Sequence, residues 1–277
     1  MSRHHSVFTS STLGRLAARF SQAVLVLTVV ALLPLSAQAA TVGVGHPSNP
    51  GLGVGGTFQI MFVTSSNTQM NQNSPTTTPA QFADAFVQDR ADNSPGSILT
   101  GLGTWKAVAS FDGYPQNHEG TGVAAAVAEN ARDRAPVFGL LVRPDGVFLA
   151  NDSADLYDGD IALPADGIGP NVNELGTTVN MQSWTWSGSN ADGTLYTDTV
   201  AVCGSFGCGV GPRAEPAMVG YNTDFLAGWI HGPLIIGGDN NLPFFGMSEL
   251  ITVVIPEPAS MGLMMLGLAG MFCRRRR

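Results

Sequence analysis

Thr57-Phe58-Gln59-Ile60-Met61-Phe62-Val63-Thr64 is a run of mostly β-branched, aromatic and other apolar residues, and it predicts a buried strand. A second apolar run, Glu249–Ile255, lies near the other end of the body of the chain and predicts a closing strand. Because each end of a loop-rich body carries one such strand, we expect the two strands to pair and to bring the ends of the body together.

Between these strands the pattern alternates between helix and strand. Ala80–Asp92 places Phe82, Phe86 and Asp89 at helical spacing, and the alanine-rich segment Gly122–Arg134 predicts a second helix. The predicted strands are Thr104–Phe111 and the two arms of a hairpin, Val137–Val142 and Val147–Ala150, with Asp145-Gly146 in its tight turn. Two helices in the first half and irregular structure in the second predict an α+β fold.

Four short motifs follow one another in the order found in a known class of surface domain. They are Thr104–Ala107, Arg143–Asn151, Asp155–Gly159 and Trp186–Thr194. In this order they resemble bacterial endostatin-like domains, over roughly Thr57 to Val254. That resemblance implies a C-type-lectin-like fold with paired terminal strands, two helices and a long loop region. An all-β sandwich is the alternative.

The N-terminus has the composition of a secretory signal peptide. Arg3, Arg15 and Arg19 precede an apolar stretch from Ala23 to Leu35, and Ala37-Gln38-Ala39 supplies small residues at the positions that a signal peptidase recognises. We expect residues 1–39 to be a signal peptide, with an N-terminal hydrophobic helix and cleavage after Ala39. Residues 40–56 form a Gly-rich leader. Its glycine pattern has no strand before it and no helix after it, which argues against a dinucleotide site.

The C-terminus combines three features in order. Pro256-Glu257-Pro258 comes first, an apolar run from Ala259 to Cys273 follows, and Arg274-Arg275-Arg276-Arg277 comes last. As a helix, the fifteen residues of the apolar run measure about 22 Å. The run is therefore shorter than the helix of roughly 20 residues that spans a bilayer without strain. The four arginines stay charged and act as a membrane stop.

These residues resemble the PEP-CTERM sorting signal over Pro256–Arg277. The resemblance implies export through the inner membrane of a Gram-negative bacterium, a transient C-terminal transmembrane helix, and recognition by an exosortase at Pro256, Glu257 and Pro258. It also implies release to the cell surface, where we expect a role in exopolysaccharide or biofilm. The processing partners are then signal peptidase and exosortase.

Charge and cysteine content limit what the body can do. Between the two terminal signals, at residues 40–255, lie six basic and 20 acidic residues, so the body carries a net charge of −14. Such a surface repels the phosphate backbone, which excludes a nucleic-acid partner. Cys203 and Cys208 are separated by four residues in an exported chain and predict a small disulfide loop, with a metal pair as the less favoured interpretation.

No catalytic motif is complete, and we expect no enzymatic activity and no cofactor. Asp152, Asp155, Asp158 and Asp160 are weak candidates for a calcium site, with a solvated acidic turn as the alternative. Trp184 and Trp186 alternate, so on a strand they would share a face, either as core residues or in contact with a glycan. A hydrolase of matrix glycans and a calcium-stabilised adhesion module are the alternative functions.

Overall fold

A computed structural model gives the fold of the body. It describes residues 40–69, 78–111, 128–159, 161, 169–179, 184–197, 216–224, 226–237 and 239–255. The predicted signal peptide, the sorting signal with its apolar run, Cys203, Cys208 and Asp160 lie outside these residues.

Strands dominate the described part of the chain. They are β1 (Thr41–Gly43), β2 (Thr57–Val63), β3 (Trp105–Ala107), β4 (Leu140–Val142), β5 (Phe148–Ala150), β6 (Trp184–Trp186), β7 (Pro216–Tyr221), β8 (Ile235–Gly237), β9 (Phe245–Ser248) and β10 (Ile251–Val254). The helices are α1 (Pro79–Asn93), α2 (Ala131–Arg134), α3 (Ser153–Leu156) and a 3-10 turn at Ala227–Trp229.

Strand β2 is the centre of the larger sheet, as its apolar run predicts. It pairs antiparallel with β10, where Phe58 lies opposite Ile251, and parallel with β4, where Phe58 lies opposite Leu140. The expected pairing of the terminal strands is therefore present. Phe58, Ile60 and Phe62 point into one hydrophobic cluster, whereas Met61 and Val63 point into a second. Burial on both faces explains why the run is continuously apolar instead of alternating.

The larger sheet extends from β2 on both sides, in the order β1-β10-β2-β4-β5. Strand β9 continues along the same edge of β2 as β10, and β3 pairs with β9. The hairpin of β4 and β5 is confirmed. Gly146 adopts a φ of +80° in its turn, a conformation that a glycine accepts without steric cost.

Residues 40–56, predicted as a leader, belong to the fold. Strand β1 pairs parallel with β10, so that Gly43 lies opposite Val254. Further along the segment, the buried hydroxyl of Ser48 donates to the carbonyl oxygen of Pro144 at 2.8 Å. The glycine content of this segment predicts conformational freedom, but the sheet pairing and this long-range bond hold it in place.

Helix α1 confirms the first predicted helix and shows how its sequence starts it. Thr78 and Gln81 form a reciprocal capping box, and Pro79 occupies the first turn. Ala83 and Val87 lie on the buried face, against the sheet. The helix approaches so closely that a Cβ at Gly246 would lie 2.4 Å from Val87 and 2.5 Å from Phe62.

The second predicted helix is confirmed only at its C-terminal end. Ala131–Arg134 is helical, residues 128–130 are not, and residues 122–127 lie outside the described chain. The backbone of Glu129 instead exchanges two hydrogen bonds with Phe111, at 2.9 and 3.0 Å. The side chain of Asn130 accepts from the backbone of Leu195 at 2.9 Å. These long-range bonds override the local helix propensity of an alanine-rich sequence.

The predicted α+β, lectin-like fold is wrong. Strands β6, β7 and β8 form a second, three-stranded antiparallel sheet in the half of the chain that was expected to be irregular. Among the described residues, α1 is the single helix longer than four residues. The chain therefore has a β-rich fold with two sheets, neither of them closed.

Candidate functional site

The sorting segment begins where the sheet ends. Strand β10 is hydrogen-bonded on both sides, to β1 and to β2, and its last residue is Val254. Ile255 follows with 64% of its surface exposed, and Pro256 is the next residue. One exposed residue thus separates a buried strand from the Pro256-Glu257-Pro258 motif.

The acidic turn after β5 uses its carboxylates to order its own backbone. Asp152 caps α3, accepting from the backbone of Ala154 at 2.8 Å and of Asp155 at 3.0 Å. Asp155 accepts from the backbone and the side chain of Asn151, at 2.7 and 3.1 Å. Asp158 is exposed. In the described ranges, no group of three His, Cys, Asp or Glu residues could hold a metal ion. Calcium at this turn stays a prediction.

The cap at Asp152 leads to a test that separates capping from calcium binding. Asp152→Ala should lower the free energy of unfolding by about 1 kcal/mol, since it removes the acceptor for two backbone amides. Asp152→Asn should keep nearly full stability, because asparagine caps equally well. Chemical denaturation with calcium and with chelator measures both. An equal loss in the two variants, present only with calcium, would instead identify Asp152 as a metal ligand.

The two tryptophans of β6 have different surroundings. Trp186 is fully buried and donates from Nε1 to the carbonyl oxygen of Thr68 at 3.1 Å, so it packs as a core residue. Trp184 is 38% exposed and lies directly opposite Tyr221 on β7. Directly opposed residues have Cβ atoms about 5 Å apart. Trp184 and Tyr221, here named the aromatic pair, are thus neighbours on the second sheet.

Tyr221 was missed by the sequence analysis. It lies 37 positions after Trp184, in a segment (Val219-Gly220-Tyr221-Asn222) whose local pattern is not distinctive. The signal that finds it is the register of β6 and β7, which depends on contacts distant in sequence.

Two buried charged side chains were also missed, and both connect loops. Arg143 lies at the hairpin turn, where it bonds both carboxylate oxygens of Asp145 at 2.8 and 3.1 Å and the side-chain oxygen of Asn171 at 3.1 Å. Glu174 accepts from the backbone of Ser65 and from the hydroxyl of Ser94, each at 2.9 Å. Since burial of a charge is costly without such partners, these groups hold the loops in place.

The loop after β6 carries a carboxylate with a perturbed acidity. The hydroxyl of Thr194 donates to Asp192 at 2.5 Å, and this bond lowers the pKa of Asp192. The weaker attraction of Arg132, 3.9 Å away, acts in the same direction. Asp192 is therefore ionised at neutral pH, and its hydrogen bond to Thr194 helps to hold the turn in place.

The comparisons with known proteins concern the C-terminal segment. The chain matches the family model of the PEP-CTERM protein-sorting motif over residues 254–277, which begins at the last residue of β10. No curated protein matches the chain. None of the helices in the described part of the body has the length and apolar content needed to cross a bilayer, and Ala259–Cys273 lies outside that part. The chain carries a PEP-CTERM sorting signal, and it is exported and sorted at the membrane as the substrate of an exosortase.

Proposed function

We propose that this protein is a non-enzymatic component of the extracellular matrix of a Gram-negative bacterium, released at the surface after its C-terminal signal is processed. The observation that carries the proposal is the PEP-CTERM motif at residues 254–277. The net charge of −14 on the body supports it, because like charge keeps an exported protein soluble among other molecules.

The aromatic pair is the surface that we assign to glycan binding. Aromatic side chains with an apolar face and a polar tip are suited to partly hydrated contacts, and a pyranose ring presents an apolar face of matching size. Trp184 lies on β6 with 38% of its surface exposed, so a long polymer can approach it. Matrix exopolysaccharide is the partner that this arrangement fits.

Binding to the exopolysaccharide of the producing cell tests the assignment. Trp184→Ala in the processed protein should weaken binding about tenfold or more, since removing a stacking aromatic costs 1–3 kcal/mol in comparable contacts. Trp184→Phe should retain part of the affinity because it keeps a flat ring. Phe138→Ala is the matched control, as it removes another exposed aromatic from a different part of the fold. Isothermal titration measures all four proteins.

Three outcomes would contradict the proposal. Equal affinity of the Trp184→Ala and native proteins would remove the aromatic pair from the binding surface. Absence of saturable binding by the folded native protein would remove the glycan partner. Release of new reducing ends from the polymer would show a hydrolase instead of a structural component.

A further inference from the structure

Three segments at one end of the larger sheet contain no Asp, Glu, Lys or Arg. These segments are residues 43–57, 135–139 and 253–255, and we name them the charge-free end. The rest of the body carries its six basic and 20 acidic residues.

The register of the strands brings both ends of residues 43–57, together with residues 135–139 and 253–255, to the same end, whereas Ser48 in the middle of the first segment bonds Pro144 at the hairpin turn. Gly43 lies opposite Val254, so Val44 and Ile255 follow at the same level. The turn before β2 is fixed there by Gly55, whose N–H donates to the carbonyl oxygen of Val253 at 2.8 Å. Leu140 lies opposite Phe58 near the start of β2, and residues 135–139 lead into it.

Exposed apolar side chains are concentrated at this end. Phe138 is 72% exposed, Ile255 64%, Val54 57% and Val44 49%. These are four of the eight large hydrophobic residues that are exposed in the described part of the chain. Exposed apolar groups gathered at one end of a domain are typical of a surface that meets an apolar partner.

The path of the chain identifies that partner. Only Pro256, Glu257 and Pro258 separate Ile255 from the apolar run Ala259–Cys273. Fully extended, the connection reaches about 14 Å, and the polar headgroup layer accounts for about 5–7 Å of it. The run is also shorter than the bilayer core, so it draws its flanking residues toward the interface.

We propose that the charge-free end rests on the lipid bilayer for as long as the C-terminal signal remains attached, with Val44, Val54, Phe138 and Ile255 in the headgroup region. This proposal depends on the assigned sorting pathway. The acidic turn of Asp152 and Asp155 borders this end on the side of Phe138, because the backbone N–H of Val137 donates to the hydroxyl of Ser153 at 2.6 Å. Val44 and Ile255 lie on the side of β1 and β10, and β10 is three strands from β5 in the order of the sheet.

Amide hydrogen exchange of the full chain, incorporated in phosphatidylcholine nanodiscs, tests the proposal. The matched variant carries a flexible Gly-Ser linker of about 20 residues between Ile255 and Pro256, which lets the body move roughly 25 Å from the anchor. We expect exchange in residues 43–57 and 135–139 to be about fivefold slower or more in the native chain than in the linker variant. Residues 226–234, which carry exposed Leu226 and Leu234, are the internal control and should not change.

Each other result overturns part of the proposal in a recognisable way. A chain that does not co-purify with nanodiscs would contradict both the membrane stage of sorting and the contact. A chain that co-purifies but shows equal exchange in both variants would leave sorting intact and remove the contact. Protection that appears only in native membranes holding the processing machinery would assign the charge-free end to a protein partner instead of lipid.

Discussion

Replacing Pro256 and Pro258 by alanine should leave most of the protein as an unprocessed precursor in the membrane fraction. Each proline fixes its own φ near −65°, and Pro258 also restricts Glu257 to extended conformations. The sequence therefore predicts a motif of restricted conformation, which follows β10 after one residue. Without the prolines these residues gain conformations that a processing enzyme has to exclude before cleavage, and recognition weakens.

Immunoblotting of membrane and extracellular fractions with an antibody to the body measures this result. Pro95→Ala is the matched control, because Pro95 is an exposed proline in the turn after α1 and lies outside the motif. The body should fold equally well in both variants, since residues 256–258 follow the last strand. Normal processing of the double variant would show that these prolines are not what the exosortase recognises.

The second large effect concerns the stability of the body. Gly220→Ala in β7 should lower the free energy of unfolding by about 3 kcal/mol, the upper end of the usual cost of overpacking. A Cβ at this position would lie 1.9 Å from the carbonyl oxygen of Trp229 and 2.6 Å from its carbonyl carbon. Backbone atoms cannot rotate away, as the end of a side chain can. The buried ring of Trp229 contacts Tyr157 and Phe245, so a shift would spread through the second hydrophobic cluster.

Urea denaturation followed by tryptophan fluorescence gives the free energy of unfolding of each variant. Gly139→Ala provides the control, because a Cβ there meets no atom within 4 Å and the backbone has no positive φ. That substitution should be neutral or slightly stabilising. A Gly220→Ala protein as stable as the native one would rule out the close approach of β7 to the 3-10 turn.

The elements that local sequence could predict are those with local causes. Helix α1 begins at Thr78 and Pro79 because capping and proline geometry are encoded in adjacent residues. The hairpin turn is encoded by Asp145-Gly146 in the same way. Glu129 illustrates the opposite case. Its helix-favouring neighbours predict a helix, but its backbone pairs with that of Phe111, 18 positions away, in an antiparallel β-bridge.

The fold class required information that short strands do not carry. Strands β6 and β8 have three residues each, too few to show an alternating pattern, and both depend on β7. The candidate sites differ in the same way, according to whether their residues are adjacent in sequence or are brought together by the fold. The sorting motif is contiguous and could be recognised from residues 256–277, whereas the aromatic pair exists only through the register that joins Trp184 to Tyr221.

The position of β10 between two strands also determines how the body responds to force. A pull on the C-terminal segment acts along the axis of β10, so the hydrogen bonds to β1 and β2 are loaded together in shear and do not open one after another. Breaking many bonds at once presents a higher barrier than peeling an edge strand, and the lifetime of a protein under tension depends on that barrier. The folded body can therefore carry mechanical load at the point where it is tethered.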